Sequence, residues 1–305
     1  MKLELKNIRK TFGEKEVLHG ISFSVESGKA LGLLGRNGAG KTTTIRIIMD
    51  VFKANSGTIT LDGRPFIPRE HQIGYLPEER GLYPKKKVGE QLIYLAMLRG
   101  MDQKSAKANA KKWLERLEVD EYFDRKLETL SKGNQQKVQL AQTLICDPDL
   151  VILDEPFSGL DPVNSQILKD VIQEVIQQGK MVIFSSHQMG YVEEFCEDIV
   201  IIHHGEVVLG GQLSEIKKEK SNGRMRISCI GLTPTELANR LSKELPGLVS
   251  VEKVQRNQVV VCIRKGAGTN EVLKSLLDLG LELELFGRYE PSLNDIFVES
   301  AGDEG

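Results

Sequence analysis

A chain of 305 residues with a formal net charge of −2 has room for about two domains and lacks the basic surplus of a nucleic-acid binder. Its four cysteines, Cys146, Cys196, Cys229 and Cys262, form no C-x-x-C pair; they suggest neither a disulfide framework nor a zinc site, and fit a reducing cytosol. No apolar run approaches the ~20 residues of a spanning helix, and the start, Met1 to Lys6, alternates charge with leucine and has no signal-peptide core, so the expectation is a soluble cytosolic protein whose membrane role, if any, needs a partner.

In chain order, Leu3 and Leu5 alternate with charges, and Ile21, Phe23 and Val25 alternate with polar residues. Both read as half-buried strands. Between them, Phe12 is either ordinary packing or a platform on which a base stacks. The apolar run Ala30 to Leu34 reads as a buried strand. Then Gly35-Arg36-Asn37-Gly38-Ala39-Gly40-Lys41-Thr42-Thr43 fits G-x-x-x-x-G-K-[ST], the phosphate-binding loop. From Thr44 to Val51 the residues Ile45, Ile48 and Met49 have helical spacing. The glycines therefore occupy the strand-to-helix turn that lets backbone N–H groups converge on phosphate. Lys41 would reach the β- and γ-phosphates and the Thr42 hydroxyl would bind Mg²⁺. Thr58 to Leu61 is a further strand, closed by Asp62-Gly63. These flanking strands predict a small antiparallel sheet.

Ile73 to Leu76 reads as a short strand, followed by a Gly- and Pro-containing loop from Glu78 to Pro84. Apolar stripes at Val88, Leu92, Leu95 and Leu98, and at Ala106, Ala110, Trp113, Leu114 and Leu117, predict two helices. They belong to a helical insertion over about 85–145. Leu130-Ser131-Lys132-Gly133-Asn134-Gln135-Gln136 opens another helix. That end is either an anion site or a simple N-cap. Leu150 to Leu153 is a buried strand with the carboxylates Asp154 and Glu155 at its C-terminal end, the edge where open α/β sheets bind ligands. Ser158 to Pro162 turns into an amphipathic helix through Leu168, Val171, Ile172, Val175 and Ile176. Met181 to Phe184 is a buried strand ending in Ser185-Ser186-His187. Ile199 to Ile202 and Val207 to Leu209 make a hairpin around His203-His204-Gly205, whose histidines read as turn residues rather than metal ligands.

The charged stretch Lys217 to Gly223 reads as a linker. Beyond it the order strand, helix, strand, strand, helix, strand predicts a small ferredoxin-like α+β domain. Thr233-Pro234-Thr235-Glu236 is a capping box, and Ser292 to Asp295 caps a short last helix. Nothing in this domain looks catalytic, and a structural or dimerising appendage is the expectation.

Together these stretches resemble an ATP-binding cassette ATPase over about residues 1–215. The phosphate loop looks like Walker A, Leu150 to Glu155 like Walker B with the adjacent glutamate, and Leu130 to Gln135 like the LSGGQ signature. Ser158 to Asp161 matches the D-loop, Ser186-His187 the switch histidine, and Phe12 the adenine-stacking aromatic. The implied fold is a P-loop core with an antiparallel β-subdomain and the helical subdomain, followed by a linker at 216–223 and an accessory domain at 224–300. The resemblance implies that Gly35, Asn37, Gly38, Ala39, Gly40, Lys41, Thr42 and Thr43 hold ATP. Thr42 and Asp154 would hold Mg²⁺, Glu155 would orient or deprotonate the attacking water, and His187 would contact the γ-phosphate. Ser131 and Gly133 would serve the nucleotide of a second cassette, so a homodimer or a paired homologue is implied. Two departures stand out. Glu78 occupies the position of the family's metal-binding glutamine, and the signature reads Ser131-Lys132-Gly133-Asn134. The Gly74 to Tyr83 loop and the C-terminal extension resemble bacterial and archaeal exporter ATPases of sodium- or drug-efflux type. These work with a separate integral-membrane permease on the cytoplasmic face, which would dock on the segment 78–87 and the helical insertion. The alternative is a soluble, non-transport cassette ATPase acting on ribosome or nucleic acid. Such proteins often carry fused cassettes or basic segments, and neither is present in this sequence. A third reading makes the C-terminal domain a ligand sensor.

Overall fold

The computed structural model describes residues 1–79 and 81–302; Arg80 and residues 303–305 lie outside the described residues. Strands β1 (Lys2–Phe12) and β2 (Lys15–Glu26) pair antiparallel. Leu3, Leu5 and Ile8 of β1 all reach the core. Strict alternation would turn Ile8 outward, but the register shifts between Leu5 and Ile8, and Asn7 takes a left-handed φ of 53°. Strand β3 (Ala30–Leu34) is buried throughout and leads through the phosphate loop into α1 (Lys41–Ile48). Strands β4 (Ser56–Leu61) and β5 (Arg64–Pro65) complete a sheet of order β2-β1-β4-β5, the antiparallel sheet expected from the sequence.

Strand β6 (Ile73–Leu76) precedes the helical insertion, which contains α2 (Val88–Leu98), α3 (Gln103–Arg116) and α4 (Lys132–Leu144). Their stripes bury Val88 and Leu92, Ala106 and Leu114, and Val138 and Ala141. The Asp102 carboxylate caps α3 by accepting from the Lys104 and Ser105 N–H groups at 3.0 Å each. The chain then alternates: β7 (Leu150–Asp154), α5 (Pro162–Gln177), β8 (Met181–Ser185), α6 (Met189–Phe195), β9 (Asp198–His203) and β10 (Glu206–Gln212). The second sheet has the order β10-β9-β3-β8-β7-β6. All its neighbours pair parallel except the edge strand β10. Parallel strands covered on both faces need continuous apolar runs, and Leu150-Val151-Ile152-Leu153 and Met181-Val182-Ile183-Phe184 supply them. Leu3, Leu5 and Ile21 of the first sheet share one core with Leu31, Ile45, Ile152 and Ile183.

After β10 come α7 (Leu213–Lys220), β11 (Arg224–Cys229), α8 (Pro234–Glu244), β12 (Val249–Val254), β13 (Val259–Ile263), α9 (Thr269–Asp278), β14 (Leu283–Arg288) and α10 (Leu293–Ala301). The third sheet is wholly antiparallel, of order β12-β13-β11-β14. That is the strand order of a ferredoxin-like domain, with Leu237 and Leu241 of α8 and Val272 and Leu276 of α9 in the core against Ile227, Val259 and Val261. The capping box forms: Thr233 Oγ1 accepts from the Glu236 N–H at 3.3 Å, and Glu236 accepts from the Thr233 N–H at 2.8 Å. Within the charged stretch, Lys217 to Lys220 form the second half of α7. Leu213 and Ile216 bury one side of α7, and Lys and Glu are good helix formers. Contacts divide the described residues into two compact units, Met1–Leu213 with 300–302, and Ser214–Glu299.

Candidate nucleotide site

Parallel pairing sets the C-terminal ends of β3, β8, β7 and β6 side by side. The residues that follow them are the phosphate loop, Ser186-His187, Glu155 and Glu78 in that order. Four stretches far apart in sequence thus line one rim, where ligands of open α/β sheets bind.

In the phosphate loop Gly40 is the N-cap of α1 at φ 114°. A Cβ there would stand 2.6 Å from Leu18 Cδ2, so the site demands glycine. At Gly38, φ is 81° and an added Cβ would meet nothing within 4 Å; the concavity is open on that side. Asn37 and Thr42 are exposed, Thr43 is half-buried and Ala39 is buried. Ala39 is also braced from outside the loop. Its carbonyl accepts from the Gly205 N–H at 3.0 Å, and the Gly205 carbonyl accepts from the His19 N–H at 2.8 Å. Gly205 sits in the turn between β9 and β10, so that turn ties the loop to β2. Lys41 folds back on the loop, donating from Nζ to Gly35 O at 2.5 Å and Arg36 O at 3.3 Å. Burial lowers its pKa, and the charges of Asp154, Glu155 and Glu78 work against that shift.

Asp154 ends β7 opposite Ser185. Burial raises its carboxyl above the ordinary aspartate value, and the Glu155 and Glu78 charges push the same way. Glu155 is equally buried, at 6% exposure, and sits at φ 50°, a left-handed conformation that a non-glycine residue adopts at a cost. Its N–H donates to Ser185 O at 2.8 Å. Its carboxylate accepts from Ser186 Oγ at 3.0 Å and from the His187 N–H at 2.7 Å, and Oε1 lies 2.8 Å from His187 Nδ1. A ring nitrogen that close to a carboxylate oxygen carries the proton, leaving Nε2 on the exposed side of the imidazole.

Glu78 is exposed on the loop after β6. Gln139 of α4, buried, holds that loop by donating to the Pro77 and Glu79 carbonyls at 3.3 Å each. Gln136, one turn earlier, donates to Pro156 O at 3.1 Å. The same helix begins at Ser131, which caps it by accepting from the Asn134 N–H at 3.2 Å. Ser131 and Lys132 are exposed, whereas Gly133 is buried and a Cβ on it would stand 2.9 Å from Asn164 Nδ2. Among the described residues no hydrogen bond joins Ser131 or Gly133 to the phosphate loop, Asp154 or Glu155. Asp161 caps α5 through the Asn164 N–H at 2.9 Å. Phe12 is 47% exposed, edge-on to Phe52 at 5.2 Å and 5.0 Å from Lys10 Nζ.

Residues 18–158 match the ABC transporter family model. The uncharacterised ABC transporter ATP-binding protein YhaQ of Bacillus subtilis is 40% identical over 98% of this chain and 98% of its own length. The chain belongs to the ATP-binding proteins of ABC transporters. Residues 211–301 of this ABC ATPase match the C-terminal domain of DrrA1-3-like ATP-binding proteins. The linearmycin resistance ATP-binding protein LnrL of Bacillus subtilis is 32% identical over 98% of this chain and 90% of its own. A solved ATP-binding subunit of an ABC transporter is 30% identical, with a TM-score of 0.66 over 72% of this chain and 93% of that one. The ABC ATPase therefore has the cassette fold, binds nucleotide and hydrolyses ATP. Among the described residues no helix is long and apolar enough to cross a membrane.

Sequence reasoning missed four parts of this site: the Ser186 hydroxyl on Glu155, the Gly205 brace, and the two glutamines of α4. The only local signal was polar residues, Gln136 and Gln139, on the face of a helix that otherwise buries Val138 and Leu140.

Proposed function

We propose that this ABC ATPase drives export, hydrolysing Mg²⁺-ATP as one half of a cassette dimer beneath a separate integral-membrane permease on the cytoplasmic face. The observation that carries the catalytic reading is the buried Glu155 carboxylate held by Ser186 and His187 beside Asp154 and the phosphate loop. Lys41 exchanges its loop carbonyls for β- and γ-phosphate oxygens. Glu155 orients and deprotonates the attacking water. His187 presents its outer nitrogen to the γ-phosphate, and Phe12 offers its free face to adenine.

The residues at the rim fit Mg²⁺. The Thr42 hydroxyl and the Asp154 and Glu78 carboxylates are hard oxygen donors. Among the described residues no three His, Cys, Asp or Glu side chains gather into a metal site, so phosphate oxygens and water would complete the shell, as Mg²⁺ prefers. Bound there, the ion would neutralise charge on the β- and γ-phosphates.

The exposed helix start at Ser131, unconnected to its own phosphate loop, supports the dimer: the Ser131 hydroxyl, which accepts from Asn134 and keeps its proton to donate, and the Gly133 N–H would serve a partner's γ-phosphate. Tyr83, Tyr94, Met97 and Leu98 are exposed around the start and along the face of α2, and an apolar surface of that kind suits a permease contact. The export direction rests on the relative named for drug resistance. No nucleic-acid partner is expected. Glu155→Gln should bind ATP with wild-type affinity and lose turnover by about 10² or more. Wild-type turnover in that variant would refute the assignment. Co-purification from detergent-solubilised membranes should bring a permease with the wild-type chain.

A further inference from the structure

The C-terminal unit holds a cavity that ATP hydrolysis does not use. Its volume is about 620 Å³, within the range of small-molecule sites. It lies where α7, the start of β11, the turn from β13 into α9 and the end of β14 come together. Lys218, Arg264, Lys265 and Arg288 line it, exposed to solvent, and form no ion pair with any described residue. Arg224 lines it too, but Glu252 and Glu299 hold its guanidinium at 2.7 and 3.1 Å. Two carboxylates on α7, Glu215 and Glu219, share the wall. Four basic groups without an ion-pair partner among the described residues, against two acids, leave a surplus of positive charge.

Cations from separate elements around one concavity repel one another, and an anion placed among them relieves that repulsion. Guanidinium groups fit oxyanions in a two-pronged way. The Thr269 hydroxyl adds a neutral donor to the same wall, and Met225 and Ile263 give apolar contact. We propose that this cavity is a binding site for a small phosphorylated anion. Phosphate is preferred over carboxylate because it offers three acceptor oxygens in a tetrahedral spread, which donors arriving from α7, β14 and the β13–α9 turn can share. A carboxylate presents two in one plane.

The test is calorimetric titration of the full chain, its phosphate loop saturated with Mg²⁺-ADP, with fructose 1,6-bisphosphate and in parallel with tricarballylate as a carboxylate of comparable charge. The bisphosphate should bind, and Arg264→Ala/Arg288→Ala should weaken it about tenfold or more. Lys218→Ala, on a different element, should weaken it several-fold. Arg226→Ala removes an exposed charge of the same unit outside the cavity and should leave binding unchanged. No bisphosphate binding, an equal loss in Arg226→Ala, or equally tight tricarballylate would each overturn the proposal.

Discussion

Glu155 Oε1 and His187 Nδ1 are 2.8 Å apart, one side chain buried in the sheet rim and the other 71% exposed. The carboxylate also accepts from the His187 N–H at 2.7 Å, so one residue grips it twice. His187→Ala keeps the backbone contact and loses the ring. The expected outcome is a kcat lowered by about 10²-fold, with the ATP Kd within about threefold of wild type. Ser186→Ala removes one hydrogen bond of about 1–1.5 kcal/mol and should lower kcat by about tenfold. Steady-state kinetics with a separate nucleotide-binding assay checks both.

Glu78 sets a carboxylate rather than an amide on the exposed loop after β6. Glu78→Gln should still hydrolyse ATP, but half-maximal activation should need several-fold more Mg²⁺, because a neutral oxygen holds a divalent cation less well. Mn²⁺ titration followed by electron paramagnetic resonance reads the same loss without turnover. An unchanged metal dependence would leave Glu78 without a special role.

Two glycines should respond in opposite ways. At Gly40 an alanine meets both a φ of 114° and the Leu18 methyl; Gly40→Ala should lower stability by about 1–3 kcal/mol and abolish ATP binding. At Gly133 the obstacle is the tip of Asn164, a side chain that can swing away. Gly133→Ala should fold and bind ATP normally yet fail to form the proposed cassette dimer. Denaturation and sedimentation measurements separate the two cases.

Asp295 tests the accessory domain. Burial would raise its carboxyl, but hydrogen bonds from Lys253, Ser292 and Tyr289 outweigh it and hold the pKa at about 2, against 3.8 for a free aspartate. A depressed folded-state pKa adds stability above the unfolded value and loses it as pH falls through the folded one. The stability gap between wild type and Asp295→Asn should therefore stay constant from pH 7 to about 4 and narrow below that. Urea unfolding of the C-terminal unit, read by hydrogen exchange at α10, follows it. A gap that does not change with pH would mean the charge contributes nothing.

Much of the site was legible because its chemistry is local. A strand, a glycine turn and a lysine at the next helix start are contiguous, so Gly35 to Thr43 announces itself. Asp154 and Glu155 follow directly from four apolar residues. The first sheet and the ferredoxin-like strand order were readable from alternation. What escaped depends on which strands lie side by side. Ser186 meets Glu155 only because β8 neighbours β7, and Gly205 meets Ala39 only because β9 neighbours β3. Gln139 looks like an ordinary helix residue until its amide is found under Pro77 and Glu79. Helix α7 was not legible because its charged residues outnumber the two apolar residues, Leu213 and Ile216, that set its buried face.

The Gly205 turn has a thermodynamic consequence. A Cβ on it would stand 2.2 Å from Val17 O, so the turn fits against β2 with no slack. It holds Ala39 from one side while α1 holds the loop from the other. The loop's ordering entropy is then spent during folding rather than at each encounter with nucleotide. ATP capture should be fast and nearly free of any loop-closing step. Gly205→Ala should reveal that cost as a slower association and an entropic penalty, even though residue 205 lies outside the phosphate loop.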